Sequence, residues 1–168
     1  MFNNKLIILK NKYTLKYDDF YFKCSIGKKG LSKNKIEGDN KTPSGIFRLG
    51  SIYYRADRVK AFKSKIKFIK ITPNMIWCND ITDKQNYNKL IKLKRNIKGE
   101  KFYRKDYKYD YLLPIEYNTK KRKLGKGSAI FIHLTKNYKS TAGCIALKKN
   151  DLLILLKLIN KNTKIKIP

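Results

Sequence analysis

Residues 128–147 read SAIFIHLTKNYKSTAGCIAL, and they hold the single histidine of the 168-residue chain together with one of its three cysteines. The nearly continuous apolar run in AIFIHL predicts a strand at the centre of a sheet, and CIAL predicts a second, short apolar strand. The ten residues between His133 and Cys144 suffice for a strand end, a loop and a return of the chain. We therefore expect the two side chains either to share a buried strand pair or to form a nucleophile with its base.

Cys144 is the candidate nucleophile of this segment. A thiolate attacks a carbonyl carbon far faster than a thiol does, so the cysteine needs a neighbour that accepts its proton, and His133 is the one imidazole in the sequence. Gly143 gives the chain room to turn and to aim backbone N–H groups at an oxyanion, while Ser140 and Thr141 supply hydroxyls that fix the loop. On these residues alone, a purely structural role for the cysteine and the histidine stays open.

The other two cysteines, Cys24 and Cys78, indicate structural roles, since no second histidine is present to serve either of them. The count of three is odd and no pair has CxxC spacing, which argues against a disulfide framework and against a zinc site. We expect free thiols, no metal ion and no cofactor.

The rest of the sequence predicts a mainly β domain. Short runs rich in β-branched and aromatic residues predict strands in KLIILK, YTLKY, FYFKCSIG, GIFRL, KFIKITP, YDYLLPIEYN and TKIKI. NDLLILLKLINKN near the C-terminus predicts a single helix with Asn150 or Asp151 as its N-cap. Residues 74–109 predict an irregular middle region with a weak helical tendency in DKQNYNKLIKL. No repeat or linker divides the chain, so residues 1–168 are expected to form one domain.

The chain is strongly basic, with 41 Lys and Arg against 12 Asp and Glu and a formal net charge of +29. Such a field attracts polyanions, so a basic module that binds nucleic acid or an anionic envelope polymer without catalysis is the alternative function. Lysine outnumbers arginine, however, and specific readers of nucleic acid rely on arginine. We therefore expect only non-specific binding to nucleic acid.

The hydropathy of the sequence predicts no membrane-spanning segment, because no stretch of about 18 uncharged apolar residues occurs. The N-terminal apolar run, residues 6–9, is also shorter than the apolar core of a secretory signal. The chain as written is thus expected in the cytoplasm, or in the periplasm and cell envelope if it is exported by a route that the sequence does not reveal.

Two separate motifs stand out in the sequence. The first is EGDNKTPSGIFRL, and it matches a Gly-Asp-x-x-Thr-Pro-x-Gly-x-Phe pattern at Gly38, Asp39, Thr42, Pro43, Gly45 and Phe47. The second is a histidine, a loop and [Ser/Thr]-x-Gly-Cys followed by an apolar residue, here His133 and then residues 141–145. Together they resemble the catalytic domain of YkuD-type L,D-transpeptidases. Two motifs in this order are more specific than either alone, and the resemblance extends from about residue 26 to the C-terminus.

The resemblance implies a β-sandwich of mixed sheets with a helix packed alongside, and an enzyme that acts on peptidoglycan stem peptides or muropeptides; we expect a monomer. Such enzymes cleave the bond before the terminal D-Ala of a stem tetrapeptide. Cys144 would form a thioester that a second amine or water resolves, giving cross-linking or L,D-carboxypeptidase activity. His133 would be general base and acid, oriented by the carbonyl of Leu134, and backbone N–H groups of Cys144 and Gly143 would hold the oxyanion.

Two alanines depart from the pattern of many family members, which carry histidine at the position of Ala142 and asparagine or arginine at that of Ala146. An arginine there could anchor a substrate carboxylate through a bidentate contact. We expect that anchor to come from elsewhere in this chain, and the candidates are Arg55, Arg58 and Lys41.

Overall fold

Strands make up most of the regular structure in the computed structural model, which describes residues 6–92 and 97–168. In chain order the elements are β1 (Leu6–Asn11), β2 (Thr14–Tyr17), β3 (Phe20–Ser25), β4 (Leu31–Ser32), β5 (Thr42–Pro43), β6 (Gly45–Arg48), β7 (Ile52–Tyr54), β8 (Phe68–Lys70), β9 (Met75–Cys78), β10 (Leu90–Lys92), β11 (Gly99–Lys101), β12 (Tyr111–Pro114), β13 (Phe131–Leu134), β14 (Ile145–Leu147), α1 (Lys149–Leu158) and β15 (Lys164–Ile167). The predicted fold class, mainly β with a C-terminal helix, is therefore confirmed.

Ten of these strands form one mixed sheet in the order β6-β15-β1-β2-β3-β14-β13-β12-β7-β8. Most neighbouring strands are antiparallel, but β1–β15, β13–β14 and β7–β8 pair in parallel. A bridge between Leu49, just after β6, and Ile115, just after β12, connects two strands that are far apart in this order. The sheet therefore curls back on itself.

The first three strands form the meander that their sequences predict. Ile7 and Leu9 of β1 and Leu15 and Tyr17 of β2 are buried, while the residues between them are only half-buried. Successive side chains of a strand point to opposite faces, so this alternation places every second residue in the core. β3 then pairs with β14 and connects the meander to the strands that carry the candidate site.

The central strands β13 and β14 carry core side chains on one face and the candidate site residues on the other. They pair in parallel, with Ile132 opposite Ile145 and His133 opposite Ala146. Ile132 and Ile145 belong to the main core, into which α1 also packs its buried leucines. Because side chains alternate between faces, His133 and Cys144, which directly precedes β14, lie together on the opposite face.

A second cluster of buried side chains, many of them aromatic, packs on this opposite face. Its members are Ile71, Met75, Trp77, Phe102, Tyr109, Leu112, Phe131 and Cys144. The ring of Phe102 contacts the rings of Trp77, Tyr109 and Phe131 at centroid distances of 6.1, 6.1 and 5.5 Å. Cys144 is thus part of a packed apolar layer.

The middle region is more regular than its sequence indicates, because β9 pairs with β10 and β11 in a separate three-stranded sheet. The predicted helical tendency of DKQNYNKLIKL is wrong for its described part, which forms turns and β10; its last residue, Leu93, lies outside the described residues. Long-range contacts explain the difference. Asn88 accepts a hydrogen bond from Nε1 of Trp77 and donates to two backbone carbonyl oxygens of the segment after β12.

The helix α1 begins before its predicted N-cap. Its N-cap is Lys148, whose side chain makes no capping hydrogen bond, so the prediction of Asn150 or Asp151 is wrong. The first helical hydrogen bond runs from the N–H of Leu152 to the carbonyl of Lys148, and Leu152 is fully buried in the core. Asp151 still lies in the first turn, where its charge favours the helix dipole. In the described part of the chain, no helix has the length and apolarity that crossing a membrane requires.

Candidate active site

A cavity of about 650 Å³ lies beside β13 and the loop that leads into β14. Cys144 and His133 both line it, although they are only 9% and 7% exposed. The loop residues Ser140, Thr141 and Gly143 line it as well. The structure therefore brings the predicted nucleophile, base and loop residues to one space.

Cys144 is held by backbone groups of β13 and of the segment just before it. Its Sγ accepts a hydrogen bond from the N–H of Phe131 at 3.3 Å and lies 3.4 Å from the carbonyl oxygen of Ala129, to which the thiol donates. Burial among apolar side chains raises the pKa of the Cys144 thiol to about 12, although the Phe131 N–H opposes this shift. At neutral pH the free protein therefore carries a protonated thiol, which needs a base before it can attack.

His133 is oriented by its own strand. Its Nδ1 lies 3.0 Å from the carbonyl oxygen of Leu134, as the family resemblance implies. A carbonyl oxygen only accepts hydrogen bonds, so we assign the ring proton to Nδ1, which leaves Nε2 unprotonated. Burial lowers the pKa of His133 to about 4 despite the hydrogen bond to Leu134, which raises it. At neutral pH the imidazole is thus a neutral base.

The turn before Cys144 is fixed by the hydroxyl of Thr141. This hydroxyl donates to the carbonyl oxygen of Cys144 at 2.6 Å and accepts from the N–H of Gly143 at 3.1 Å. Gly143 has a φ of +143°, and a Cβ at this position would lie 2.8 Å from the carbonyl oxygen of Lys41. The turn needs glycine both for its backbone conformation and for this close approach. The N–H of Gly143 is occupied by Thr141 in this state.

The upstream motif forms the loop against which this turn packs. Asp39 organises the loop: one carboxylate oxygen accepts from the N–H of Lys41 at 2.9 Å and from Nζ of Lys35 at 2.6 Å, and the other accepts from the N–H of Ile36 at 2.9 Å. Burial alone raises the pKa of the Asp39 carboxyl, but these hydrogen bonds hold it below its usual value. The carboxylate is therefore ionised at neutral pH and ties the loop together.

The three residues proposed as carboxylate anchors, Arg55, Arg58 and Lys41, lie outside the lining of the cavity. Arg55 is 2% exposed; it pairs with both carboxylate oxygens of Asp57, and it donates to the carbonyl oxygen of Arg104. Arg58 donates to two backbone carbonyl oxygens of the same segment, at 2.8 Å each. Both guanidinium groups hold the chain before β12 in place and are engaged by protein groups.

Other charged residues do line the cavity, and the motifs did not identify them. They are Lys35, Glu37, Glu100, Arg104, Lys108, Lys136 and Lys139. Glu100 accepts hydrogen bonds from Arg104 at 2.8 Å and from the hydroxyl of Tyr109 at 2.9 Å. The Tyr109 ring in turn contacts His133, with 5.5 Å between ring centroids. The sequence gives no usable signal for them, because the i,i+4 spacings of Glu100 with Arg104 and of Lys35 with Asp39 indicate a contact only on a helix, and neither pair lies on one.

The sequence also matches a known family model over nearly its whole length. The model is that of the YkuD L,D-transpeptidase catalytic domain, and the match covers residues 4–167. The chain belongs to this family. The resemblance that the two motifs carry is therefore confirmed.

Solved structures show the same fold in longer proteins. The helical cell shape determining protein Pgp2 from Campylobacter jejuni is 20% identical, with a TM-score of 0.50 over 96% of this chain and 46% of that protein. Bd1075 from Bdellovibrio bacteriovorus is 15% identical, with a TM-score of 0.52 over 98% of this chain and 48% of that protein. The chain thus spans a little under half the length of these two proteins. No curated protein matches the sequence.

Proposed function

We propose that this chain is a cysteine acyl-transfer enzyme that acts on peptidoglycan stem peptides and cleaves the L,D bond before the terminal D-Ala. One observation carries the proposal: Cys144 and His133, whose Nδ1 lies against the carbonyl oxygen of Leu134, line one cavity on the same face of the sheet. Membership of a family of L,D-transpeptidases supports the same reaction.

In the acylation step, Nε2 of His133 takes the thiol proton of Cys144, and the sulfur attacks the carbonyl carbon of the third stem residue. The C–S bond forms while the carbonyl π electrons move to oxygen. We assign the N–H of Cys144 as donor to this oxyanion, and Gly143 as a second donor once its N–H leaves Thr141. The C–N bond then breaks, and the imidazolium gives its proton to the amine of the departing D-Ala.

The thioester is resolved by a nucleophile that His133 deprotonates. Water gives the free tripeptide and regenerates the thiol, which is L,D-carboxypeptidase activity. The amine of a second stem gives a new amide, which is transpeptidation. The two outcomes differ in their products, a free tripeptide or a cross-linked dimer.

Exposed lysines in the cavity wall provide charge for an anionic substrate. Lys108, Lys136 and Lys139 line the cavity and are solvent-exposed, and Ala146, also in the lining, supplies no guanidinium there. We assign these three ammonium groups as binding partners for the carboxylates of the stem peptide, including that of the terminal D-Ala. Ammonium groups act as point charges without bidentate geometry, so this anchor is weaker and less selective than an arginine.

The proposal is tested by incubating the purified chain with a stem tetrapeptide and identifying the products by mass spectrometry. Tripeptide with free D-Ala indicates hydrolysis, a cross-linked dimer indicates transfer, and no conversion contradicts both. Cys144→Ala and His133→Ala are expected to abolish turnover while circular dichroism shows an intact fold. Cys78→Ala is the matched control, since Cys78 is a buried thiol outside the cavity lining and its loss leaves turnover in place.

A further inference from the structure

Lys35 differs from every other lysine in the described part of the chain, because it alone is buried, with 4% of its surface exposed. Burying an ammonium group is unfavourable unless the charge is compensated, and most lysines in this protein remain in water. Burial of the Lys35 charge therefore costs folding free energy. Its surroundings show how the charge is held and what it faces.

The side chain of Lys35 is confined along its whole length. Its methylene groups pass over Gly127, where a Cβ would lie 2.8 to 2.9 Å from Cε, Cδ and Cγ of the lysine. Its Nζ donates to Asp39 at 2.6 Å, and Asp39 is itself fixed by two backbone N–H groups. The ammonium group thus has a defined position. Gly127 leaves room for the methylene groups of Lys35, and the Asp39 carboxylate holds the ammonium group.

The ammonium group faces the turn that carries the nucleophile. Nζ of Lys35 lies 3.5 Å from the position that a Cβ would occupy on Gly143, the residue directly before Cys144. Lys35 also lines the cavity that Cys144 and His133 line. An ammonium group has three N–H donors, and among the described residues only Asp39 accepts one of them. The Asp39 carboxylate compensates part of the charge, and the remaining donors are available to a group in the cavity.

We propose that Lys35 is an anion-stabilising residue of the catalytic centre, whose ammonium group offsets the negative charge that develops on the Cys144 sulfur and on the substrate oxyanion. The inference rests on the proposed cysteine chemistry and adds a residue to it. Acylation moves a full negative charge into a buried apolar surrounding, where a fixed positive charge has a large effect. Burial raises the pKa of the Cys144 thiol most and the charge of Glu100 raises it further, whereas the Phe131 N–H and the charge of Lys35 lower it. The direction of the Lys35 effect agrees with the geometry.

The competing explanation is that Lys35 only braces the loop through Asp39, and a pair of variants separates the two roles. Asp39→Asn removes the carboxylate but keeps the positive charge. The double variant Lys35→Met/Asp39→Asn removes both members of the pair, so that no buried charge is left without a partner. Lys33→Met, at an exposed lysine two residues away, is the control for net charge.

Two measurements are made on each variant. The first is the rate of alkylation of Cys144 by iodoacetamide as a function of pH, read by mass spectrometry of the Cys144 peptide. The second is kcat and KM on a stem tetrapeptide. The double variant is expected to alkylate about three- to tenfold more slowly than Asp39→Asn at a given pH, because its thiol pKa is higher by about half a unit to one unit. Its kcat is expected to fall about 100-fold below that of Asp39→Asn, with little change in KM. Lys33→Met behaves as the unmodified protein.

Equal alkylation rates and equal kcat in Asp39→Asn and the double variant would overturn the inference and leave Lys35 as a structural brace. The alkylation assay needs no substrate, so it decides the role of Lys35 even if the tetrapeptide is not converted and the proposed function fails. If the double variant does not fold, Lys35→Gln takes its place, since glutamine removes the charge but still offers a donor to Asp39. The same slower alkylation is then expected, and its absence contradicts the inference.

Discussion

Nδ1 of His133 and the carbonyl oxygen of Leu134 lie 3.0 Å apart, so the backbone of β13 orients the imidazole that the same strand carries. No acidic side chain is needed for this role, because a carbonyl oxygen fixes the tautomer as well as a carboxylate does. A carbonyl has no net charge, however, and it compensates an imidazolium less than a carboxylate would. Burial therefore prevails, and the pKa of His133 falls to about 4.

Folding stability is expected to decrease as the pH falls from about 6.5 to 4, because of His133. The unfolded chain binds a proton at His133 near pH 6.5, whereas burial keeps the native pKa at about 4, so the unfolded state binds more protons in this interval. The expected loss between pH 7 and pH 4.5 is about 2 to 3 kcal/mol from this group. Urea unfolding at the two pH values measures it.

His133→Gln is the control for this pH dependence, because it removes the titrating group while keeping a polar side chain. Carboxylates such as Asp39, whose pKa is lowered in the fold, lose stabilising interactions at low pH in both proteins. Their contributions to the pH dependence therefore cancel in the comparison. The difference in unfolding free energy between pH 7 and pH 4.5 should be smaller in the variant. Identical pH dependence in both proteins would show that His133 is not buried as a neutral ring.

Thr141→Val is expected to lower kcat about tenfold or more, since misplacement of the reacting groups is costly. Valine has nearly the same shape but loses the hydrogen bonds that the hydroxyl makes with Cys144 and Gly143. The unfolding free energy should fall by about 1 to 2 kcal/mol. Thr141→Ser keeps the hydroxyl and should retain most of the activity; a serine variant as poor as the valine variant would argue against the hydrogen bonds as the cause.

The parts of the site that lie in one continuous motif could be predicted from the sequence. AIFIHL and CIAL show their burial in their composition, and the short loop between them brings His133 and Cys144 to adjacent strands. The alternation of side chains then places both on one face. The meander of β1 to β3 was predictable for the same reason, since a strand with one buried face shows a period of two.

The parts that depend on distant contacts could not be predicted. Lys35 is one of many lysines in the chain, and only its position beside Gly127 and Gly143 distinguishes it. Arg55 is a plausible anion anchor by residue type, but Asp57 and a backbone carbonyl occupy its guanidinium. The start of α1 depends on the burial of Leu152 rather than on a capping side chain. In each case, tertiary packing overrides the local preference of the residue.

Arg55→Met is expected to destabilise the fold without weakening substrate binding. The guanidinium pairs with Asp57, stacks 3.6 Å from the centre of the Tyr103 ring and lies outside the cavity lining. Loss of the hydrogen bond to the carbonyl oxygen of Arg104 and of the stacking on Tyr103 should lower the unfolding free energy by about 1 to 2 kcal/mol. The pair with the exposed carboxylate of Asp57 adds little, because water screens it. Arg48→Met, at an exposed arginine, should change stability by less than about 0.5 kcal/mol. A raised KM with unchanged stability in Arg55→Met would restore its role as a carboxylate anchor.

Gly143→Ala is expected to be among the most damaging single-methyl additions to this protein. The added Cβ would lie 2.8 Å from the carbonyl oxygen of Lys41 and 3.3 Å from Cδ1 of Ile130, at a φ of +143° that disfavours alanine. The turn before Cys144 must then shift, so we expect a loss of about 2 to 4 kcal/mol in unfolding free energy and loss of turnover.

Gly38→Ala is the matched control: its φ is +76°, but nothing lies within 4 Å of the added Cβ, so only about 1 kcal/mol should be lost. Chemical denaturation of both variants measures the difference, and equal losses would mean that backbone conformation alone, rather than the contact between the two loops, makes glycine necessary at position 143.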